Sequence, residues 1–415
     1  MNETRNIIAG LEIGKDFSQI CYYDRKEKEP VSISVKLGSN QYTFPTRLSK
    51  RSRAEKWHFG IEADYFTMHE GEIPVDDLLS VWTKGEPVEI DGEWYRAEEL
   101  LEIYLKGCLS VLGVAEPARQ IKALMITVPE LNRALVRKLQ KVCSRLKFTP
   151  GQVLLQDYDE SFYYYVMSTR QDNWNRLIGR FSFENGSVTF SRMVTDSSKK
   201  PLLVTVEHGK TITLPKDEDQ KDVEFYQLIA DSCGSATYSS IYLVGEGFSK
   251  DWAVRSVPLL CKNQRHVYYG NNLYVKGACY AAREKSEDRL LGGYLYVGNA
   301  LVQHHVSMEM TIQGAKKNYI VVEAGKNWYE TEHEFELILD GKEELEFTVH
   351  PLEGGENRSY SMKLPGLPKR PDKTTRLRVH VMYESSDTCM ILVQDLGFGE
   401  MFPSSGLMWT ERATW

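Results

Sequence analysis

The sequence predicts an α/β-layered region over its first part and an all-β sandwich over its last. Three observations predict this. Strand and helix patterns alternate through the first part, period-two strands with no helical pattern fill the last, and residues 283–293, charged and then glycine-rich, lie between them. At 415 residues the chain is also longer than one ordinary core.

The elements follow in order. Residues 6–14 are an apolar stretch ending in Gly14, and residues 20–23 are a second run closed by Asp24 and a charged cluster. Val31, Ile33, Val35 and Leu37 alternate, which predicts a third strand in a β-meander. Leu100, Leu101, Tyr104, Leu105, Cys108 and Val111 recur at helical spacing over residues 97–112. Residues 123–128 read as a buried strand stopped by Pro129. A helix follows with Leu131, Ala134, Leu135, Leu139 and Val142 on one face. A strand at 153–155 leads into a helical segment at 161–167. Strands return over 177–214, a helix is expected at 223–231, and residues 240–244 are an apolar strand ending in Gly245-Glu246-Gly247. A helix at 274–282 closes this half.

In the last part Phe335, Leu337 and Leu339 alternate up to Asp340-Gly341, and Leu345, Phe347 and Val349 alternate after it. Asp340-Gly341 and Gly354-Gly355 are hairpin signals. Leu377, Val379, Val381 and Tyr383 form another strand, residues 390–393 one more, and Pro365, Pro368 and Pro371 punctuate a loop. Antiparallel strands of this kind predict a sandwich.

Composition limits the function classes. A net charge of -7 offers no field for nucleic acid or anionic lipid, so neither nucleic acid nor a membrane is an expected partner. No apolar run is long enough to span a bilayer, and polar residues 1–5 with Glu12, Lys15 and Asp16 argue against a signal peptide. A cytoplasmic location is expected. The seven cysteines are scattered without a CxxC pair, so neither a disulfide framework nor a zinc site is expected. The sequons at Asn2, Asn185 and Asn357 then carry no meaning. His304 and His305, adjacent on a strand, point to opposite faces and read as a surface pair. Tyr163, Tyr164 and Tyr165 read as helix packing, and Trp57, Trp174, Trp252 and Trp328 show no ligand pattern. Trp328, Tyr329 or Phe402 would form a partner patch if exposed, although core burial is the usual outcome.

Five stretches, in this order, carry a family resemblance. They are Gly10-Leu11-Glu12-Ile13-Gly14-Lys15; Phe44-Pro45-Thr46 with Phe59-Gly60-Ile61-Glu62-Ala63; Met125-Ile126-Thr127-Val128-Pro129; Val244-Gly245-Glu246-Gly247; and Gly277-Ala278-Cys279-Tyr280-Ala281-Ala282. Together they resemble the actin-like ATPase superfamily, and within it the seventy-kilodalton heat-shock chaperones. Leu364-Pro365-Gly366-Leu367-Pro368, the strand to Tyr383 and residues 389–395 resemble the end of the chaperones' substrate-binding sandwich. The resemblance implies an actin-like (ribonuclease-H-like) two-lobe nucleotide-binding domain over 1–285, a linker over 286–295 and a β-sandwich over 296–415. The family's helical lid is not expected, and the second outer subdomain is shortened.

In that family, glycine hairpins hold the phosphates of ATP or ADP, and carboxylates from both lobes organise Mg and the attacking water. The resemblance places Gly14 and Lys15 in the first phosphate hairpin, with Glu12 where the family has aspartate, organising Mg through water. It places Ser182 where the second lobe's metal-organising carboxylate belongs, and Gly186 as the one glycine left in the second hairpin. A serine hydroxyl does not replace that charge. Asp157 takes the water-positioning role; read alone, Asp157, Asp159 and Glu160 are a solvated helix N-terminus. Gly245 and Gly247 would admit adenosine, and they read equally as a strand-to-helix turn. The expected function is a chaperone-like protein, at most a slow ATPase, whose sandwich binds a protein or peptide. A pseudo-ATPase scaffold that binds no nucleotide is the alternative. A small-molecule kinase of the superfamily and a filament former are further possibilities.

Overall fold

The first apolar stretch becomes β1 (Ile7–Ile13) and folds back antiparallel on β2 (Phe17–Asp24), which pairs with β3 (Glu29–Ser32) and the short β4 (Phe44–Pro45). The computed structural model describes residues 6–36, 38–287 and 289–415. Residues 1–5 with the Asn2 sequon, Leu37 of the third predicted strand, and Asp288 between the two parts lie outside the described residues. The third strand ends earlier than the alternation suggests. Past Ile33 the chain turns, with the Ser34 hydroxyl donating to the carbonyls of Lys36 and Ser39.

An inserted block follows: β5 (Leu48–Lys50), β6 (Trp57–Phe59), α1 (Gly60–Glu70), β7 (Ile73–Val75), α2 (Leu78–Lys84), β8 (Val88–Ile90), β9 (Glu93–Tyr95), α3 (Ala97–Ser110) and α4 (Pro117–Gln120). The chain then re-enters the first sheet with β10 (Ile121–Val128), crosses through α5 (Arg133–Arg145), capped by Asn132, and adds β11 (Val153–Asp157). The sheet order is β11-β10-β1-β2-β3, with β1, β10 and β11 parallel.

Helix α6 (Tyr158–Met167) leads to the second sheet. Its strands are β12 (Leu177–Glu184), β13 (Ser187–Asp196) and β14 (Leu202–Thr213) in antiparallel succession, then, after α7 (Glu218–Cys233), β15 (Tyr238–Gly245). Beyond α8 (Ser256–Leu260), β16 (His266–Tyr269) completes the order β16-β15-β12-β13-β14, with β12, β15 and β16 parallel. The two sheets thus repeat one plan, three antiparallel strands with two parallel strands added beside the first. Helix α9 (Leu273–Ser286) and β17 (Tyr294–Tyr296) follow, and β17 pairs with β14, so the first unit runs to Tyr296.

Two helices are shared by both sheets. Helix α9 packs Val275, Ala278 and Cys279 on Ile8, Cys21 and Met125 of the first sheet. Helix α6 packs Phe162, Tyr163 and Val166 on Ile178, Met193 and Tyr242 of the second, and its Ser161 hydroxyl bonds Thr127 and Gln156 of the first. Glycines set this spacing. A Cβ at Gly277 of α9 would lie 2.0 Å from the Ser161 carbonyl oxygen, and one at Gly10 2.4 Å from that of Val275.

The second unit, from Val297, has two four-stranded antiparallel sheets. The strands are β18 (His304–Ile312), β19 (Ala315–Val322), β20 (Glu332–Leu339), β21 (Glu344–Pro351), β22 (Arg358–Lys363), β23 (Thr375–Tyr383), β24 (Thr388–Gly397) and β25 (Met408–Thr414). Their orders are β19-β18-β21-β22 and β20-β23-β24-β25. Asp340-Gly341 is not a hairpin turn. It carries the chain from β20 in one sheet to β21 in the other; the Leu339 carbonyl accepts from Lys373 N–H and the Glu343 carbonyl from Leu364 N–H, tying each side to its own sheet. Gly354-Gly355 does connect a paired couple, β21 and β22. His304 and His305 are half-buried rather than a surface pair, and His305 Nδ1 accepts from Ala324 N–H. Trp328 is buried and Tyr329 and Phe402 are half-buried; Ile320, Ile338, Phe398, Met401, Leu407 and Met408 are exposed. Six of the seven cysteines are buried and Cys261 is exposed.

Candidate functional site

Strand β1 delivers Glu12 to the side of the first sheet on which Gly10 meets α9. Its carboxyl is buried, and the Tyr158 hydroxyl donates to Oε1 at 3.1 Å. Burial pushes this carboxyl up to about 7, against hydrogen bonds from Tyr158 and the Val275 backbone; nearby Glu184 adds to the rise.

Tyr158 is the first residue of α6 and also reaches the first hairpin. A Cβ at Gly14 would lie 2.5 Å from the Phe17 carbonyl oxygen and 2.9 Å from the Tyr158 hydroxyl. Lys15 beside it is exposed. The Tyr158 ring stacks on Tyr274 of α9, with centroids 3.9 Å apart and planes 7° from parallel. Tyr274 continues to the second sheet, where its hydroxyl is 3.4 Å from the Ser182 hydroxyl on β12. One chain of contacts therefore runs Glu12, Tyr158, Tyr274, Ser182, from the first sheet to the second.

Arg180, two residues before Ser182, shares its face of β12. The guanidinium is buried, 4.9 Å from the Phe162 ring centroid and 5.9 Å from that of Tyr274. Its Nη2 donates to Asp159 at 2.6 Å and its Nε to Ser191 at 2.9 Å, while Nη1 has no partner among the described residues. Asp159 also meets His208 Nε2 at 2.8 Å. Burial opposes ionisation of Asp159, but the bonds to His208 and Arg180 hold its carboxyl below the usual carboxylate range. The Asp159 bond in turn raises His208.

Asp157 ends β11 and caps α6, accepting from Glu160 N–H at 2.8 Å. Burial, then the charge of Asp159, pushes its carboxyl up to about 7. Glu12 lies in register with Thr127, and Asp157 with Val128, the next residue along β10. The two carboxyls answer to different partners, Glu12 to Tyr158 and Asp157 to the start of α6.

The remaining predicted positions are turns. Asn185 and Gly186, with φ of 50° and 74°, close the β12–β13 hairpin. Gly245 pairs with Phe183, and a Cβ there would meet the Phe183 carbonyl oxygen at 2.1 Å; strand pairing alone requires this glycine. The Gly247 carbonyl accepts from the Trp252 indole at 3.0 Å.

The donor set fits poorly to magnesium. Ser182 faces a tyrosine hydroxyl, a guanidinium occupies its face of the strand, and no group of three or more metal-ligating side chains occurs among the described residues. Tyr158, Tyr274, Arg180 and His208 escaped the sequence reading. Arg180 left a signal, a lone cation within the apolar strand Leu-Ile-Gly-Arg-Phe-Ser-Phe. The tyrosines left none, since their stacking joins two helices far apart in sequence.

Residues 29–299 match the family model described as "Family of unknown function (DUF5716) C-terminal", and residues 301–415 match "Domain of unknown function (DUF8552)". The first match covers well over half of the chain. No curated protein matches it. No helix among the described residues is long and apolar enough to cross a membrane.

Proposed function

The chain belongs to the DUF5716 family, and we propose that it is an actin-like pseudo-ATPase: a two-lobe scaffold that binds no nucleotide and works through protein partners. Two sheets with one strand order, sharing α6 and α9, support the actin-like reading. The observation that carries the loss of nucleotide is the Tyr158–Tyr274 stack. It lies against Gly14 and Glu12 on one side and Ser182 on the other, the positions at which the resemblance calls for phosphate and metal. Arg180, fixed by Asp159, adds a positive charge where a divalent cation would have to sit.

A second reading keeps a chaperone-like protein that binds ATP or ADP with Mg and hydrolyses it slowly. Glu12 and Asp157 favour it, since both persist as buried carboxyls titrating at about 7. In both readings the sandwich of the second unit takes a protein or peptide partner. Thermal melting with and without Mg-ATP separates them. A ligand at a hundredfold its Kd stabilises a folded protein by about 2.7 kcal/mol, a shift of several degrees. The scaffold reading expects no shift at millimolar Mg-ATP; a concentration-dependent rise in Tm overturns it in favour of the second.

A further inference from the structure

The connection between β21 and β22 and the start of β18 line a cavity of about 360 Å³ in the second unit, a size that admits a small ligand. The base of the connection is fixed. His304 pairs with Pro351, and Leu352 N–H donates to the Gln303 carbonyl at 2.8 Å. Gly354 and Gly355, with φ of 91° and 131°, carry the chain around the cavity, and a Cβ on Gly355 would meet no atom within 4 Å. Apart from Pro351 no apolar side chain lines it among the described residues, so an apolar ligand finds nothing to bury against. The lining carries both signs of charge instead. Arg358 supplies a cation, and Glu353 and Glu356 supply two carboxylates; all three are exposed, and none makes an ion pair among the described residues. His304 is half-buried, and its Nδ1 is buried with no partner among the described residues, which is costly for a polar atom. Burial, then the charge of Arg358, holds its ring below the ordinary histidine value against the opposing charge of Asp387, so the ring is neutral at pH 7. No group of three or more metal-ligating side chains occurs among the described residues, so the glutamates and the histidine do not read as a metal site.

We propose that this cavity binds a small zwitterion, its carboxylate held by Arg358 and His304 and its ammonium by Glu353 and Glu356. A guanidinium fork matches a carboxylate, and a neutral imidazole has one N–H to donate to it. A simple anion would meet the two glutamates and a simple cation would meet Arg358, so a ligand that carries both charges is the one neither side repels. Lysine has this chemistry, with a carboxylate at one end and a side-chain ammonium at the other, either as the free amino acid or as the last residue of a peptide. The inference goes beyond the scaffold reading and does not rest on it, since every group it uses lies in the second unit.

The test is a histidine-selective NMR titration of the full chain with L-lysine, in nucleotide-free buffer. The His304 ring signal is the one missing from His304→Asn. The expected result is a saturable shift of that signal with lysine, and none with acetate or butylamine, which carry one charge each, at the same concentration. Arg358→Gln should abolish the shift. Glu353→Gln with Glu356→Gln should weaken lysine binding by about tenfold, as the loss of one charge-assisted hydrogen bond does. These three side chains are exposed, so the variants should fold, which circular dichroism verifies. A peptide ending in lysine, and the same peptide amidated at its C-terminus, separate the two sources. Tighter binding of the acid form than of free lysine makes the ligand a chain terminus, and weaker binding makes it the free amino acid; either result supports the proposal. No shift with lysine or with the peptide, an equal shift with acetate or butylamine, or binding indifferent to Arg358→Gln overturns it. Because no nucleotide is present, failure here leaves the melting result with Mg-ATP untouched.

Discussion

Tyr158 and Arg180 shape the site through the carboxyls they hold, Tyr158 by donating to Glu12 and Arg180 by pairing with Asp159. Tyr158 hydrogen-bonds a Glu12 whose carboxyl titrates at about 7, well above the ordinary 4.5, so the native chain holds a proton that the unfolded chain releases. The stability this supplies is complete below about pH 4.5 and is lost as pH rises through 7; at ~1.4 kcal/mol per unit the loss is on the order of 3 kcal/mol. Asp157 acts in the same direction between 3.8 and about 7. Glu12→Gln should therefore gain stability over the parent as pH rises, seen as urea midpoints that diverge between about pH 5 and pH 8. Parallel curves would refute the assignment. Asp395, held down chiefly by Arg370, acts oppositely in strong acid and does not disturb that window. Arg180→Met removes the buried guanidinium from the half-buried Asp159, which keeps His208, and should cost about 1.5–3 kcal/mol in denaturant titration. Asp157 was legible in sequence as an acid at a helix N-terminus, but the solvated end expected of Asp157, Asp159 and Glu160 is a mostly buried one, because α6 starts between the two sheets. Arg180 with Asp159 and His208 was not legible, because their meeting depends on how two sheets share a helix.

At the scale of elements, the contact between α6 and α9 fixes the two tyrosines face to face. Gly277 permits that contact, since a Cβ there would lie 2.0 Å from the Ser161 carbonyl oxygen and 2.7 Å from its carbon, backbone atoms that cannot swing aside. Gly277→Ala should lose about 3 kcal/mol, the upper end for overpacking, and the near-ultraviolet signal of the stacked tyrosines should change with it. A neutral Gly277→Ala would mean that the helices do not approach so closely. Alternation and capping made most strands and helices readable, among them β10, α3 and α5. Pairing was less readable. Alternating residues show which face of a strand is buried but not which strand lies beside it, so Asp340-Gly341 signalled a hairpin where the chain crosses between sheets. The predicted strand from Val31 failed differently, because its alternation continued into a turn built by Ser34.

At the scale of the molecule, the first unit is built from one strand order used twice, with two helices common to both sheets. The resemblance quoted motifs from both sheets, yet the residues that fill the space between those motifs belong to none of them. Tyr158 follows Asp157 in the chain, and Tyr274 precedes the first residue of the Gly-Ala-rich helix segment, Gly277, by three positions. A motif reading sees what a nucleotide site retains; the contacts between motifs determine whether anything fits there. The scaffold reading depends on the Tyr158–Tyr274 stack standing between those motifs, and calorimetric titration of Mg-ATP into the chain at high protein concentration tests it. No saturable heat is expected. A saturable isotherm with one nucleotide per chain would contradict it, and would mean that the tyrosine stack opens to admit nucleotide.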